Sequence, residues 1–460
     1  MKNYMRVISL MVALSMMLSA FAGCGGDSKK SKKTGEKFSA EAGSWEDMFG
    51  EEYVNARKTY EAENPPYNIP ENLKGTTVKF ATWIDHTGTE ASQIMANFQK
   101  DTGIAIEWIQ IPQGTYLTQL STLVASGQSP DVYVENNEFF PMTLQLSKPL
   151  DEVASIDLKD PIWDQGYIDF ATFGNHTYQL NSKNSIWNCD NLVYYSKKAF
   201  EENGLMTPQD YIDAGEWTVE NMINIMREFD ALGDSYTGGS IDPDILAGSN
   251  GSGIVYMKNK RFVSGLKENA LQDAFKTYLN VLDEGVNDAH ANANLVKGTT
   301  GLYMVSTYGL KPTGFFKGVE PDVLGFAPIP SDSGIVSCHY RAYGILSASQ
   351  NPEGAGYFLR YFLDPYNYDW NSTDTFISEE ARDYFIEYVC STDFSKKSFT
   401  FDKCMTALLG YSGHDDVYKW SYTLMRTDAA QLGTAIDSIS GEVNTAIEKA
   451  NKILAEIEKQ

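Results

Sequence analysis

Basic charge is scarce in this chain of 460 residues, where 37 lysines and arginines stand against 61 aspartates and glutamates for a formal net charge of −24. No basic stripe continues past Lys37. Nucleic acid requires clustered Lys and Arg, so it is excluded as a partner. Cysteine is also sparse. Cys24, Cys189, Cys338, Cys390 and Cys404 form no C-x-x-C pair, and no paired histidines accompany them. No zinc site is therefore expected, and no cofactor. Asp242-x-Asp244 alone lacks the ordered ligands of a calcium loop. Nucleotide-loop, G-x-S-x-G and H-E-x-x-H signatures are all missing, which removes the commoner hydrolase and metalloenzyme classes. Isolated carboxylates are plentiful, but a glycosidase needs two at a fixed separation across a cleft, and no such pair can be picked from sequence. Long apolar runs are missing after the first twenty or so residues, so no later segment is expected to cross a bilayer.

The N-terminus reads as a targeting segment. Lys2 and Arg6 precede the apolar run 7–21, which is too short for an ordinary membrane span and ends in small residues. Ala22-Gly23-Cys24 resembles a bacterial lipobox, with Phe21 where the pattern usually has Leu. The expectation is a signal peptide over 1–23, cleavage before Cys24 and a lipid on its sulfur, giving an extracytoplasmic protein tethered to the cell membrane by lipid alone. Residues 24–72 are read as a tether, polar and flexible at first. Trp45, Met48, Phe49 and Tyr53 then recur at helical spacing behind Ser44 as N-cap, with Asp47 three residues on. Pro65-Pro66 and Pro70 end that helix. Export permits disulfides, and Cys390 with Cys404 is the pair close in sequence. Connectivity stays open, with free thiols as the alternative.

The stretch around which the chain is organised runs over 76–135. Three apolar runs, 78–81, 104–109 and 132–134, are separated by two segments of helical spacing, one with Ala91, Ile94, Met95 and Phe98 on a face and the other with Leu117, Leu120, Leu123 and Val124. This β-α-β-α-β pattern predicts a mostly parallel sheet flanked by helices. Ligands of such sheets sit outside the carboxyl ends of the strands. Those ends here carry Trp83, Asp85 and His86, and Glu135, Asn136 and Asn137.

Order as well as pattern carries a resemblance. A strand ends in Trp83, a helix closes in Phe98-Gln99-Lys100-Asp101-Thr102-Gly103, and Gly127-Gln128-Ser129-Pro130-Asp131-Val132 opens a further strand. Ile186-Trp187-Asn188-Cys189-Asp190-Asn191-Leu192-Val193-Tyr194-Tyr195, then Gly301-Leu302-Tyr303-Met304-Val305-Ser306-Thr307-Tyr308, then Phe326-Ala327-Pro328-Ile329-Pro330 and Tyr343-Gly344-Ile345 continue the series. Together they resemble the extracellular solute-binding proteins of bacterial ABC importers, the carbohydrate-type branch. Tyr308 stands where that family usually has Trp. The likeness covers about 76–363 and fades beyond.

The resemblance implies a two-lobed α/β, periplasmic-binding-protein-like (type II) fold, with lobe 1 over 73–185 and 326–363, lobe 2 over 186–325 and 364–460, and a ligand cleft between lobes that closes on binding. It implies a non-enzymatic monomer whose partners are a carbohydrate and the membrane permease subunits of an importer. The expected ligand-binding residues are Trp83, Asp85, His86, Glu135, Asn136, Asn137, Trp187, Asn188, Tyr308, Tyr340, Arg341 and Tyr343. A sugar ring presents an apolar C–H face and a rim of hydroxyls, so aromatic platforms interleaved with short polar groups are the chemistry it needs. Core packing is the alternative for each aromatic taken singly, and it is preferred for Trp217 and for the stripe at 45–53. Receptors for a non-sugar solute and secreted polysaccharide-active enzymes are the other readings.

Overall fold

The computed structural model describes residues 36–460 apart from 289, 317–318, 321–322 and 412–417. The expected signal peptide over 1–23, the expected lipidation site Cys24 and the start of the expected tether lie outside the described residues. In chain order the strands are β1 (Thr77–Thr82), β2 (Ala105–Gln110), β3 (Val132–Asn136), β4 (Thr172–Phe173), β5 (His176–Thr177), β6 (Cys189–Ser196) and β7 (Thr237–Ser240). They continue with β8 (Val255–Lys258), β9 (Arg261–Ser264), β10 (Thr300–Ser306), β11 (Leu324–Pro328), β12 (Val336–His339), β13 (Arg341–Ile345) and β14 (Lys397–Phe399).

The first sheet has the order β13-β3-β1-β2. β1 runs parallel to β2 and β3, as the apolar runs of 76–135 predict, and β13 closes the edge antiparallel to β3. The helix Glu90–Thr102 buries the predicted Ala91, Ile94, Met95 and Phe98, and stops at Gly103, whose φ of 76° is the left-handed conformation that glycine adopts without strain. Phe98 packs on Phe358 of the helix Pro352–Leu363, and Phe358 in turn on Phe80 of β1, with ring centroids 5.5 and 5.4 Å apart. One face of the sheet is sealed in this way. The helix Tyr116–Ala125 covers the other face, where Ala81, Tyr116, Leu120 and Tyr133 are buried together.

The second sheet runs β14-β12-β6-β10-β7, with β11 also on β6. It is mixed. β6 is antiparallel to β10, β11 and β12, while β10 is parallel to β7 and β12 to β14. The return to the first sheet therefore falls at Arg341, later than the Phe326 boundary expected from sequence, because β11 and β12 both pair with β6. The helices Val219–Asp230, Asn269–Glu284 and Leu432–Ile457 bury their apolar stripes in this half, the last as the core-facing C-terminal helix that its spacing predicts. Thr218 caps the first of these helices by accepting from Asn221 N. Two expectations are corrected. Within 241–253, whose Gly, Asp and Ser content predicts a loop, the helix Pro243–Gly248 forms because the Asp242 side chain accepts from Asp244 N and Ile245 N. In 364–460, assigned as a whole to lobe 2, the side chains of Tyr368, Trp370, Phe376 and Phe385 join the core around the first sheet.

Before the first sheet, the helices Trp45–Phe49 and Glu51–Glu63 lie along the body, the first started by a Ser44–Asp47 capping box. Trp45 stacks on Tyr366 at 4.1 Å, and Arg57 bonds both oxygens of the buried Asp364 at 2.6 Å. The four cysteines among the described residues are free thiols.

Candidate functional site

The carboxyl ends of β1 and β3 and the start of β13 meet at one end of the first sheet. Register decides which side chains share a face there. Arg341 lies opposite Asn136 and Ala342 opposite Glu135, so Arg341 and Asn136 project to one side and Glu135 to the other. Trp83, just past β1, sits edge-on to Tyr116 and Phe139 at 5.0 and 5.6 Å and is half-buried. The Arg341 guanidinium carbon lies 5.0 Å from the centre of its ring. His86 is buried among Phe80, Trp108, Trp187 and Phe362. Its Nε2 is enclosed without a hydrogen-bond partner, and burial pulls its pKa down to about 4. Asp85 is exposed, accepts from Thr87 N, and is held below the usual carboxylate range by that bond.

Three expected contact residues are enclosed. Glu135 is fully buried. It accepts from Asn136 N at 2.9 Å, from Gln179 Nε2 at 2.6 Å and from the Thr143 hydroxyl, and burial pushes its carboxyl up to about 8. The reason is its face, since Tyr133 and Glu135 share the side of β3 that Thr143 and Gln179 cover, opposite the side of Asn136 and Arg341. Tyr340 is also fully buried. Its hydroxyl donates to Gln179 Oε1 at 2.8 Å and its ring lies among Phe140, Phe170, Phe399 and Phe401. Tyr343 packs beside Phe80 and Phe362 inside the first core.

The other candidates lie where the two sheets approach each other. Asn136 accepts from Glu138 N, and Asn137 Nδ2 donates to Thr400 O at 2.9 Å across to the second half. Trp187 stacks on Phe362 at 5.6 Å and donates to Tyr368 at 3.2 Å. Asn188 is buried, with its side chain bonded to Asn181 and Lys183 O and its carbonyl accepting from Thr307. Tyr308 is half-buried, donates to Thr313 O at 3.0 Å and meets Phe315 edge-on. The structure thus brings Trp83, His86, Arg341 and Trp187 together, separates Glu135 and Tyr340 into a polar network below them, and leaves Tyr308 with Phe315 at the end of β10.

Sequence reasoning missed a charged group at this junction. Lys403 reaches Glu138 of the first half at 3.7 Å and lies 4.5 Å over the Tyr418 ring. Behind it, the Ser421 hydroxyl lies 2.7 Å from Asp244 Oδ2 and 3.2 Å from Asp402 Oδ2. Asp242 follows β7 at its carboxyl end, the position that open α/β sheets give to ligands, and that rule could have flagged it. Lys403 had no such signal, because it comes from a region without a readable pattern. His339 is neutral, its pKa lowered to about 3 by burial and by the charges of Lys403 and Arg341. Among the described residues no group of His, Cys, Asp and Glu could hold a metal ion, and no helix is long and apolar enough to cross a membrane. The arrangement offers aromatic edges, one guanidinium and several amide and carboxylate acceptors. These groups can hydrogen-bond and stack on a small polar molecule.

The family model described as bacterial extracellular solute-binding protein matches residues 81–367. The galacto-N-biose/lacto-N-biose I-binding protein of an ABC transporter from Bifidobacterium longum, solved with lacto-N-biose, aligns with a TM-score of 0.61 at 17% identity, covering 82% of this chain and 98% of that one. The sugar-binding protein MalE from Xanthomonas citri aligns with a TM-score of 0.54 at 17% identity, covering 83% and 98%. UgpB from Mycobacterium tuberculosis, solved with glycerophosphocholine, aligns with a TM-score of 0.58 at 14% identity, covering 81% and 98%. No curated protein matches the chain.

Proposed function

The chain belongs to the bacterial extracellular solute-binding proteins, and from that premise we propose that it captures a carbohydrate, an oligosaccharide in particular, between its two sheets and delivers it to the membrane subunits of an ABC importer. The observation that carries this reading is the convergence of Trp83, Trp187, His86 and Arg341 at the ends of strands where the two halves meet. An aromatic ring beside fixed polar groups suits a sugar, whose C–H face and hydroxyl rim need both. The structural relatives support it, since two of those described above are named for sugars. The protein acts by binding and release rather than turnover, as a monomer held outside the cytoplasm by a lipid on Cys24. Closure of the two lobes about the crossovers between the sheets is the step that an importer would read. One observation favours a second reading: the relative solved with glycerophosphocholine keeps the same fold around a ligand that is not a sugar. A non-sugar polar solute is the alternative.

The test is calorimetric titration of the mature protein with mono- and oligosaccharides, alongside Trp83→Ala. The variant is expected to lose about 1–3 kcal/mol of binding, the scale of an aromatic contact surface, with little change in melting temperature. Product formation from any bound glycan, or a large stability loss with unchanged affinity in the folded fraction, overturns the assignment.

A further inference from the structure

Arg341 stands apart from the other arginines of the described residues. Arg57, Arg227, Arg261, Arg360 and Arg382 are each paired with a carboxylate, and Arg426 is exposed at the surface over Tyr422. Arg341 is half-buried and, among the described residues, makes no ion pair and has its Nε enclosed without a hydrogen-bond partner. In a chain with a net charge of −24, a guanidinium lacking a carboxylate is unexpected, and withholding one from water without a partner is unfavourable.

The neighbouring groups do not neutralise it. Glu135, on the adjacent strand, projects to the opposite face and is engaged by Thr143, Gln179 and Asn136 N. Glu138 turns to Lys403, and Asp85 accepts from the backbone of its own turn. His86 and His339 are uncharged, with the Arg341 charge among the causes that keep them so. The remaining neighbours are the face of Trp83 and the hydroxyl of Tyr343. A cation beside an indole and a neutral hydroxyl is attracted to both, but neither supplies the counter-charge that the guanidinium fork can take.

We propose that Arg341 recognises an anionic group, a carboxylate or a phosphate, on the ligand held between the two sheets. This makes the solute an acidic saccharide, a uronate or a sugar phosphate, and it rests on the solute-binding reading above. The planar fork of the guanidinium matches two oxygens of either anion at once, and such bonds are roughly twice as strong as neutral ones. The Arg341 guanidinium lies beside the Trp83 ring, so an aromatic surface and a charge-recognising fork are presented side by side.

The experiment is calorimetry on the mature protein with matched ligands: a neutral oligosaccharide, the corresponding uronate and the corresponding sugar phosphate, each at low and high salt. The wild type, Arg341→Gln and Arg341→Lys are compared, with melting temperatures measured in parallel. Gln retains part of the stem over Trp83, and Lys keeps the charge without the fork. The expected result is that one acidic ligand binds about 10- to 100-fold more tightly than its neutral counterpart, that salt weakens this advantage, and that Arg341→Gln abolishes it. Arg341→Lys should restore only part. Which acidic ligand is preferred separates the uronate from the phosphate. Equal affinity for neutral and acidic ligands, or an acidic preference that survives in Arg341→Gln, overturns the inference while leaving saccharide capture intact. If no saccharide binds, inorganic phosphate and acetate separate the two failures. Saturable binding of either anion that is lost in Arg341→Gln keeps the role of Arg341 and removes the carbohydrate reading, whereas no binding of any of them overturns both.

Discussion

Two strands at the centre of the two halves each bury a carboxylate completely, and they do so by opposite means. In the second sheet Asp190 of β6 meets Lys397 of β14 at 2.8 Å, with side-chain exposures of 1% and 2%. The pair is a salt bridge sealed from water, with Cys338 also donating to Asp190 at 3.2 Å. In the first sheet Glu135 of β3 has only neutral partners, and its environment favours the protonated acid at neutral pH. One half compensates a buried charge, while the other removes it. The lesson is that a buried acid read from sequence is not one kind of object: its neighbours decide whether it is an ion or a neutral hydrogen-bonding group.

The sharpest way to break the contrast is Asp190→Asn. It leaves Lys397 buried without its counter-ion and is expected to cost about 3–5 kcal/mol, measured by chemical denaturation at pH 7. The double variant Asp190→Asn with Lys397→Met should recover much of that loss, because no uncompensated charge remains. A double variant as unstable as the single one would refute the charge argument.

Glu135→Gln tests the other half, and its sign depends on pH. The folded chain holds the Glu135 proton up to about pH 8, whereas an unfolded glutamate releases it near pH 4.3, roughly. Its stabilising contribution is therefore complete below the unfolded value and is lost as pH rises through about 8. Denaturation from pH 4 to pH 9 should show the wild type falling by a few kcal/mol relative to Glu135→Gln, with the two closest at the acid end. A difference independent of pH would mean that Glu135 is ionised throughout. The smallest expected effect is that of Tyr340→Phe, which removes the bond to Gln179 and should cost about 0.5–1.5 kcal/mol without altering ligand affinity.

The first half was legible because its chemistry is local. Runs of three to six apolar residues, bounded by Gly103 and Pro130 and separated by amphipathic segments, specify β1, β2 and β3 with little help from the rest of the chain. The second sheet was less so, since β12 and β14 come from polar, short segments whose partners, β6 for β12 and β12 for β14, lie far away in sequence. For the site, strand ends singled out Trp83, Arg341 and Trp187, which the fold places at the junction of the two sheets. Glu135 and Tyr340 misled because alternation tells which residues share a face, and not which face another part of the chain will cover. The covering groups, Thr143, Gln179 and Phe401, belong to segments with no pattern that ties them to β3.

The pairing of β3 with β13 also bears on how the chain is made. β3 meets β1 through Phe80–Val132 and Ala81–Tyr133 alone, and it gains five further partners from β13, which is encoded about 200 residues later. At ~5–20 residues per second, synthesis of that interval takes roughly 10–40 s. Through that time the nascent chain carries Val132, Tyr133 and Val134 on a strand whose outer backbone N–H and C=O groups are unpaired, the condition under which one polypeptide templates onto another. Before residue 345 has emerged, the surface that most needs guarding against aggregation is thus the strand at the middle of the finished first sheet.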